Sequence, residues 1–265
     1  METYFPLKVK AEVARIRRVS QRIGEIFSEL PKVLKPDITT NAISDYCCAK
    51  LSEGGIEPAV EGVNGFPGKI CVSVNAVAAH GIPGPLKLIQ GDILTVDIAG
   101  KLNGWFGDGA WTYIVGTGSP AVRRLLKAAW QATMAGISVA KSGNRLGDIG
   151  CAIEKTASRY GCSVVQNCVG HGIGIQLHEE PVVLPYGRKN TGIVIKPGMV
   201  FTIEPVLSLG AGEIESDQYE HEIYSKDNAF CAQFEHTVAV FSTHTEILTS
   251  VYPYDILHLD FPPYF

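Results

Sequence analysis

Seven side chains stand where chemistry is possible: the carboxylates Asp97, Asp108, Glu204 and Glu235, and the imidazoles His80, His171 and His178. Asp97 and Glu204 each close a strongly apolar stretch, ILTVD and VFTIE, where an isolated ionised carboxylate is costly to bury. Any one of the four could be a solvated acid at a strand end, but together they fit that reading poorly. Buried charges are tolerated when paired or when they hold a metal, and two divalent cations would balance four ionised acids. Oxygen-rich ligation with a little imidazole suits Mn2+, Fe2+, Co2+ or Zn2+ better than a thiolate zinc site would. Two such ions activate water at neutral pH and polarise a carbonyl. His171 and His178 lie in VGHGIGIQLHEEP, whose glycines favour a loop over a helix face.

The chain also repeats itself, and that repeat is what would bring these groups together. Ala79-His80-Gly81-Ile82 recurs as Gly170-His171-Gly172-Ile173. Downstream, Gln90-Gly91-Asp92-Ile93-Leu94-Thr95-Val96-Asp97 matches Pro197-Gly198-Met199-Val200-Phe201-Thr202-Ile203-Glu204. Asp108 before one β-run resembles Glu235 before another. Two related halves packed face to face, with their acids converging, account for the order of these matches.

The positioning elements are legible in the periodicity. Val9, Val13, Ile16, Ile23, Phe27 and Leu30 form one apolar stripe, predicting a first helix that ends before Pro31. A second helix is expected from Thr39 or Thr40 to Gly54-Gly55, and two more over 121–140 and 146–160. Short β-branched runs at 70–74, 92–99, 111–115, 199–203 and 236–241 predict strands. Helices and strands mix without strict alternation, so the expected class is α+β. Gly116-Thr117-Gly118-Ser119-Pro120-Ala121 has the outline of a dinucleotide loop but lacks the acid about 20 residues on, and reads as a strand-to-helix turn. His178-Glu179-Glu180-Pro181-Val182 is not H-E-x-x-H, and neither G-x-S-x-G nor a Walker motif occurs.

Composition narrows the function classes. The 265 residues are 46% hydrophobic and 19% charged, a globular balance that excludes disorder and coiled coil. No apolar run approaches the roughly 18 residues needed to span a bilayer, and the first residues carry charge where an export signal needs an apolar core. A cytoplasmic location without membrane attachment is therefore expected. The net charge of −4 argues against specific DNA as a partner. Seven cysteines, an odd number without C-x-x-C, read as reduced, buried thiols.

At these residues the sequence resembles the methionine aminopeptidases of the short bacterial kind, in peptidase family M24. The likeness runs from the first helix to about Thr249 and is carried by VNAVAAHGIP, GDILTVDIAG, Gly107-Asp108, GHGIGIQLHEEP, KPGMVFTIEP and QFEHT. It implies the pita-bread fold, a pseudo-twofold antiparallel sheet with helices on its outer face, as one catalytic domain over residues 1–265. It implies metal ligation by Asp97, Asp108, His171, Glu204 and Glu235, with His80 and His178 contacting substrate and transition state. Activated water would attack the first peptide carbonyl, Glu204 would shuttle the proton, and His178 would stabilise the oxyanion. The resemblance places Phe66 and Cys71 at the substrate pocket and a monovalent cation near Asn75 and Val77. It implies two divalent ions (Co2+, Mn2+, Fe2+ or Zn2+), nascent chains or peptides as substrates, and a monomer. Opposite its apolar stripe the first helix presents Lys10, Arg15, Arg17, Arg18 and Arg22 against only Glu12 and Glu25, a set that reads first as a solvated face and, as the functional alternative, as a transient ribosome contact.

Some positions depart from the family pattern. Aliphatic Val63 and Leu177 stand where relatives carry aromatics, Ile175 where an arginine is frequent, and the loop SDQYEHEIY lacks a tryptophan near Tyr219. His221, His236, His244 and His258 have no context that assigns them. The tail VYPYDILHLDFPPYF has no counterpart, and its aromatics are expected to pack on the body. An X-Pro peptidase and a catalytically silent module of the same fold are the alternatives; the first usually has an extra N-terminal domain, and the second has lost ligands that are all present here.

Overall fold

A computed structural model describes residues 5–219 and 221–250. The tail that starts at Val251, and His258 within it, lie outside the described residues. Four helices are present: α1 (Lys10–Glu29), α2 (Thr40–Glu53), α3 (Pro120–Val139) and α4 (Leu146–Arg159). The apolar stripe of α1 is buried through Val13, Ile16, Val19, Ile23, Ile26 and Phe27. Ser119 caps α3 by accepting the Val122 N–H, so GTGSPA is a strand-to-helix turn as expected.

The main sheet is antiparallel in every pairing. Its order is Glu57–Pro58, Ile93–Leu102, Trp105–Ile114, Glu235–Val240, Val200–Ile203, Gly170–Gly172 and Glu179–Val183; Cys71–Val74 also pairs with Ile93–Leu102, and Thr245–Ile247 with Glu235–Val240. One hairpin is longer than the β-branched runs predict. Asn103 and Gly104 have φ of 51° and 80°, the two positive angles that a tight two-residue turn requires. That turn extends both flanking strands, so Asp97 lies mid-strand and Asp108 lies inside its strand, not before it. Likewise His171 belongs to the strand Gly170–Gly172 and not to a loop.

The sequence repeat has a geometric counterpart. Gly91 and Gly198 both have φ of 93°, which glycine alone adopts without strain. The Gly91 N–H donates to the Val115 carbonyl at 2.8 Å, and the Val115 N–H to the Asp92 carbonyl at 2.8 Å. At the matching turn, Gly198 donates to Val240 at 2.8 Å and Val240 to Met199 at 2.9 Å. Each turn launches the strand that leads to an acid.

Helices and acids occupy opposite faces of the sheet. On the helical face Trp111 packs against Trp130 and Phe234, with ring centroids 5.3 and 5.2 Å away. Helix α1 presses so closely there that a Cβ on Gly107 would fall 2.9 Å from the Ser20 backbone nitrogen. All seven cysteines are free thiols. Among the described residues no helix is long and apolar enough to cross a membrane. Because backbone cannot yield as a flexible side chain can, Gly107→Ala should destabilise by about 1–3 kcal/mol through overpacking. Urea denaturation measures this; a midpoint equal to wild type would mean that α1 can slide away at no cost.

Candidate metal centre and substrate cavity

Strand register explains why acids distant in sequence meet. Cys71 lies opposite Asp97, Asp97 opposite Ala110, and Ala110 opposite Glu235. Directly paired residues share a face, so these four form one row across four strands. Asp108, two residues before Ala110, shares that face by the two-residue period. Glu204 follows Ile203, which pairs with His236, and so comes alongside Glu235. His171 arrives on the neighbouring strand, where Gly172 pairs with Phe201.

The side chains converge as the register demands. His171 Nε2 lies 3.6 Å from Asp108 Oδ2 and 3.6 Å from Glu204 Oε1. One ligand atom each of Asp108, His171 and Glu235 fall within 4.8 Å of one another. Asp97 stands outside that tightest trio but lines the same cavity. Thr202 ties two members together: its hydroxyl accepts the His171 N–H at 2.9 Å and donates to Glu204 Oε1 at 2.5 Å.

The electrostatics are those of an overcrowded anionic site. Burial, then the Asp108 charge, holds the Asp97 and Glu235 carboxyls well above the usual range. Burial raises Glu204 to about 7 despite the opposing pull of His171 and Thr202. Burial also disfavours a charged His171, yet its hydrogen bond to Asp108 and the charge of Glu204 outweigh that and raise it to about 9. A single imidazolium cannot balance four acids, and Glu235 Oε1 is buried without a hydrogen-bond partner. An orphaned buried oxygen among oxygen donors and one imidazole fits a hard or borderline divalent cation.

These groups form one end of a cavity of about 720 Å³, which every catalytic or pocket residue named from sequence lines: Asp97, Asp108, His171, Glu204, Glu235, His80, His178, Phe66 and Cys71. His80 takes a left-handed φ of 54°, rare for a residue with a side chain, and its imidazole is held against the His221 backbone. His178 meets the His171 ring edge-on at 4.4 Å between centroids. Burial lowers both His80 and His178, with the charge of His171 adding to the effect on His178; each therefore stands as a neutral imidazole at pH 7. Val60, Val63 and Leu177 pack in one apolar cluster along the wall. Asn75 and Val77 are not in this cavity. Asn75 lies at a turn, where its carbonyl accepts the Cys231 N–H at 2.9 Å and its side chain bridges Asp92 and Ile93.

One cavity residue carries no sequence signal. His221 lines the wall, edge-on to Phe66 at 6.4 Å and stacked on Tyr219 at 6.2 Å. Only the packing of its loop over the cavity reveals it. His236 points to the helical face beside Trp111 and Trp130, and His244 stacks on Phe241.

Residues 14–242 match the model of metallopeptidase family M24. The chain is 39% identical over 244 residues to methionine aminopeptidase 1 of Bacillus subtilis, covering 92% of this chain and 98% of that one. It is 36% identical to the methionine aminopeptidase of Rickettsia prowazekii over 97% of this chain and 98% of the other. The crystal structure of a methionine aminopeptidase from Rickettsia prowazekii superposes with a TM-score of 0.91 at 35% identity, over 93% of this chain and all of that one. Prolidase from Pyrococcus furiosus shares the fold at a TM-score of 0.74 and 19% identity, but only 66% of its chain is covered, against 93% of this one. The helix-backed, curled antiparallel sheet is thus the pita-bread architecture expected from the sequence.

The Thr202 bridge yields a stability test. Thr202→Val leaves the His171 N–H without its acceptor inside the sheet and should cost about 1–3 kcal/mol, the penalty of a buried unmade hydrogen bond. Equilibrium unfolding reads it, and no loss would mean that another acceptor takes over.

Proposed function

The chain belongs to metallopeptidase family M24, and from that membership we propose that it hydrolyses the peptide bond behind an N-terminal methionine. The convergence of Asp108, His171 and Glu235, with Asp97 and Glu204 beside them, at one end of a cavity walled by Val60, Val63, Phe66 and Leu177 carries this reading. The match to methionine aminopeptidases over nearly the full length of both partners favours it over the X-Pro reading, since the prolidase chain extends well beyond the matched region.

In this proposal Asp97, Asp108, His171, Glu204 and Glu235 hold two divalent ions among Co2+, Mn2+, Fe2+ and Zn2+. When bound, such ions supply Lewis-acid polarisation of the scissile carbonyl and lower the pKa of attacking water. Glu204, steadied by the Thr202 hydroxyl, takes the proton from that water and returns it to the leaving amine. His178, a neutral imidazole, donates its N–H to the developing oxyanion. His80, which lines the same cavity, orients the substrate backbone. Phe66, Cys71, Val63, Leu177 and His221 enclose the first side chain, and a small second residue is preferred.

The finer assignments belong to the same proposal. The described body and its tail act as one domain of two related halves, monomeric and cytoplasmic, where nascent chains are met. A monovalent cation sits at the Asn75–Val77 turn. A transient ribosome contact falls to Lys10 and Arg18, because Arg17 pairs with Glu246, Arg22 with Glu25 and Glu53, and Arg15 lies over the Trp105 ring. Salt-sensitive co-sedimentation with ribosomes reads that contact.

Release assays on Met-Ala-Ser, Leu-Ala-Ser and X-Pro peptides, with several metals, test the central claim. Methionine release should lead, vanish with chelator and return with Mn2+ or Co2+; full activity in metal-stripped protein would sink it. Leu-Ala-Ser should be rejected less sharply than by an enzyme with aromatic walls, since each lost sulfur–aromatic contact is worth about 0.3–1.5 kcal/mol. His178→Ala should lower kcat by roughly 10²–10³ with metal content intact. An unchanged kcat with a raised KM would make His178 a binding group only.

A further inference from the structure

The loop at residues 174–178 ends in His178 and is packed mainly through Leu177, which is buried beside Val60 and Val63; Ile175 is 62% exposed, and Gln176 and His178 are exposed too. Its shape is imposed by the next residue. Glu179 Oε1 accepts the Ile175 N–H at 2.8 Å and the Gln176 N–H at 3.1 Å. The second carboxylate oxygen, Oε2, pairs with the Lys8 ammonium from the segment before α1. The Lys8 and Glu179 side chains are only 5% and 6% exposed. Lys8 is fixed in turn, for its ammonium donates to the Pro6 carbonyl at 3.1 Å and its own N–H to the Gly198 carbonyl at 2.7 Å. Its stem crosses the loop where a Cβ on Gly174 would fall 2.3 Å from Lys8 Cε. Gly174 itself is tied to the sheet, its carbonyl accepting the Phe106 N–H at 2.9 Å.

We propose that Lys8 and Glu179 are positioning residues, a buried ion pair that sets the 174–178 loop and through it the aim of the His178 imidazole. The inference rests on the reading of His178 as donor to the oxyanion. A carboxylate that accepts two backbone N–H groups with one oxygen is held in place by a fixed partner on the other, and Lys8 is that partner. A transition-state donor tolerates little angular error, so loosening the pair should reduce kcat far more than it weakens substrate binding.

The test uses metal-loaded enzyme: wild type, Lys8→Met, His178→Ala and the double variant. Lys8→Met should lower kcat roughly tenfold, a fraction of what the donor supplies, while KM changes less than about twofold. In the His178→Ala background the same change should lower kcat no further, because there is no donor left to misalign. Amide exchange at Ile175 and Gln176 should accelerate in Lys8→Met. Equal kcat losses with and without His178, or unchanged exchange at both amides, would overturn the proposal and leave the pair a general stabiliser. Wild-type kcat in His178→Ala would instead refute the donor reading, and the proposal with it, even if exchange showed the loop released. Should Lys8→Met not fold, Glu179→Gln keeps an oxygen for the two amides while removing the charge, and the same pattern is expected at smaller size.

Discussion

Everything in this molecule answers to one electrostatic problem, the packing of four largely buried carboxylates around one cavity. Like charges at such separations repel, and burial removes the solvent that would soften the repulsion. The raised proton affinities of Asp97, Glu204 and Glu235, and the retained proton of His171, show how far the bare protein must go to compensate. Only a rigid scaffold tolerates such a concentration, and a sheet in fixed register is one. The acids are pinned to strands, the strands to helices on the other face, and α1 to the glycine beside Asp108. Divalent cations turn the same arrangement from a cost into a binding free energy.

The architecture is therefore divided in labour. The sheet face carries the acids, and the fold that positions them is shared with prolidase at 19% identity. Loops supply the rest of the cavity wall: Val63 and Leu177 line it with aliphatic surface, and His221 brings an imidazole against Phe66. Of the wall residues, Cys71 stands on the row itself, opposite Asp97, while Phe66, Val63, Leu177 and His221 come from segments off that row.

Much of this was legible before any coordinates. The repeated Gly-apolar-apolar-Thr-apolar-acid pattern exposed the two launching turns, since a turn that needs positive φ and a strand that needs burial both leave a residue-level trace. Charge balance then pointed to metal. What stayed hidden has physical reasons. The β-branched runs end where glycine-rich sequence begins, but the tight turn at Asn103-Gly104 carries both strands through it and leaves Asp97 and Asp108 inside them. His171 sits in a three-residue strand too short for periodicity to register. His221, the Lys8–Glu179 pair and the pairing of Arg17 with Glu246 are tertiary facts, joining segments that no local pattern relates.

The row Cys71–Asp97–Ala110–Glu235 has a kinetic consequence. Its members come from strands laid down early and late in the chain, and the third pairing closes only when the last long strand docks against the first hairpin. A site so assembled needs all four strands in register. With Glu235 among the proposed donors, a chain ending before it would lack a complete set, so cation binding would follow the closing of this longest-range pairing.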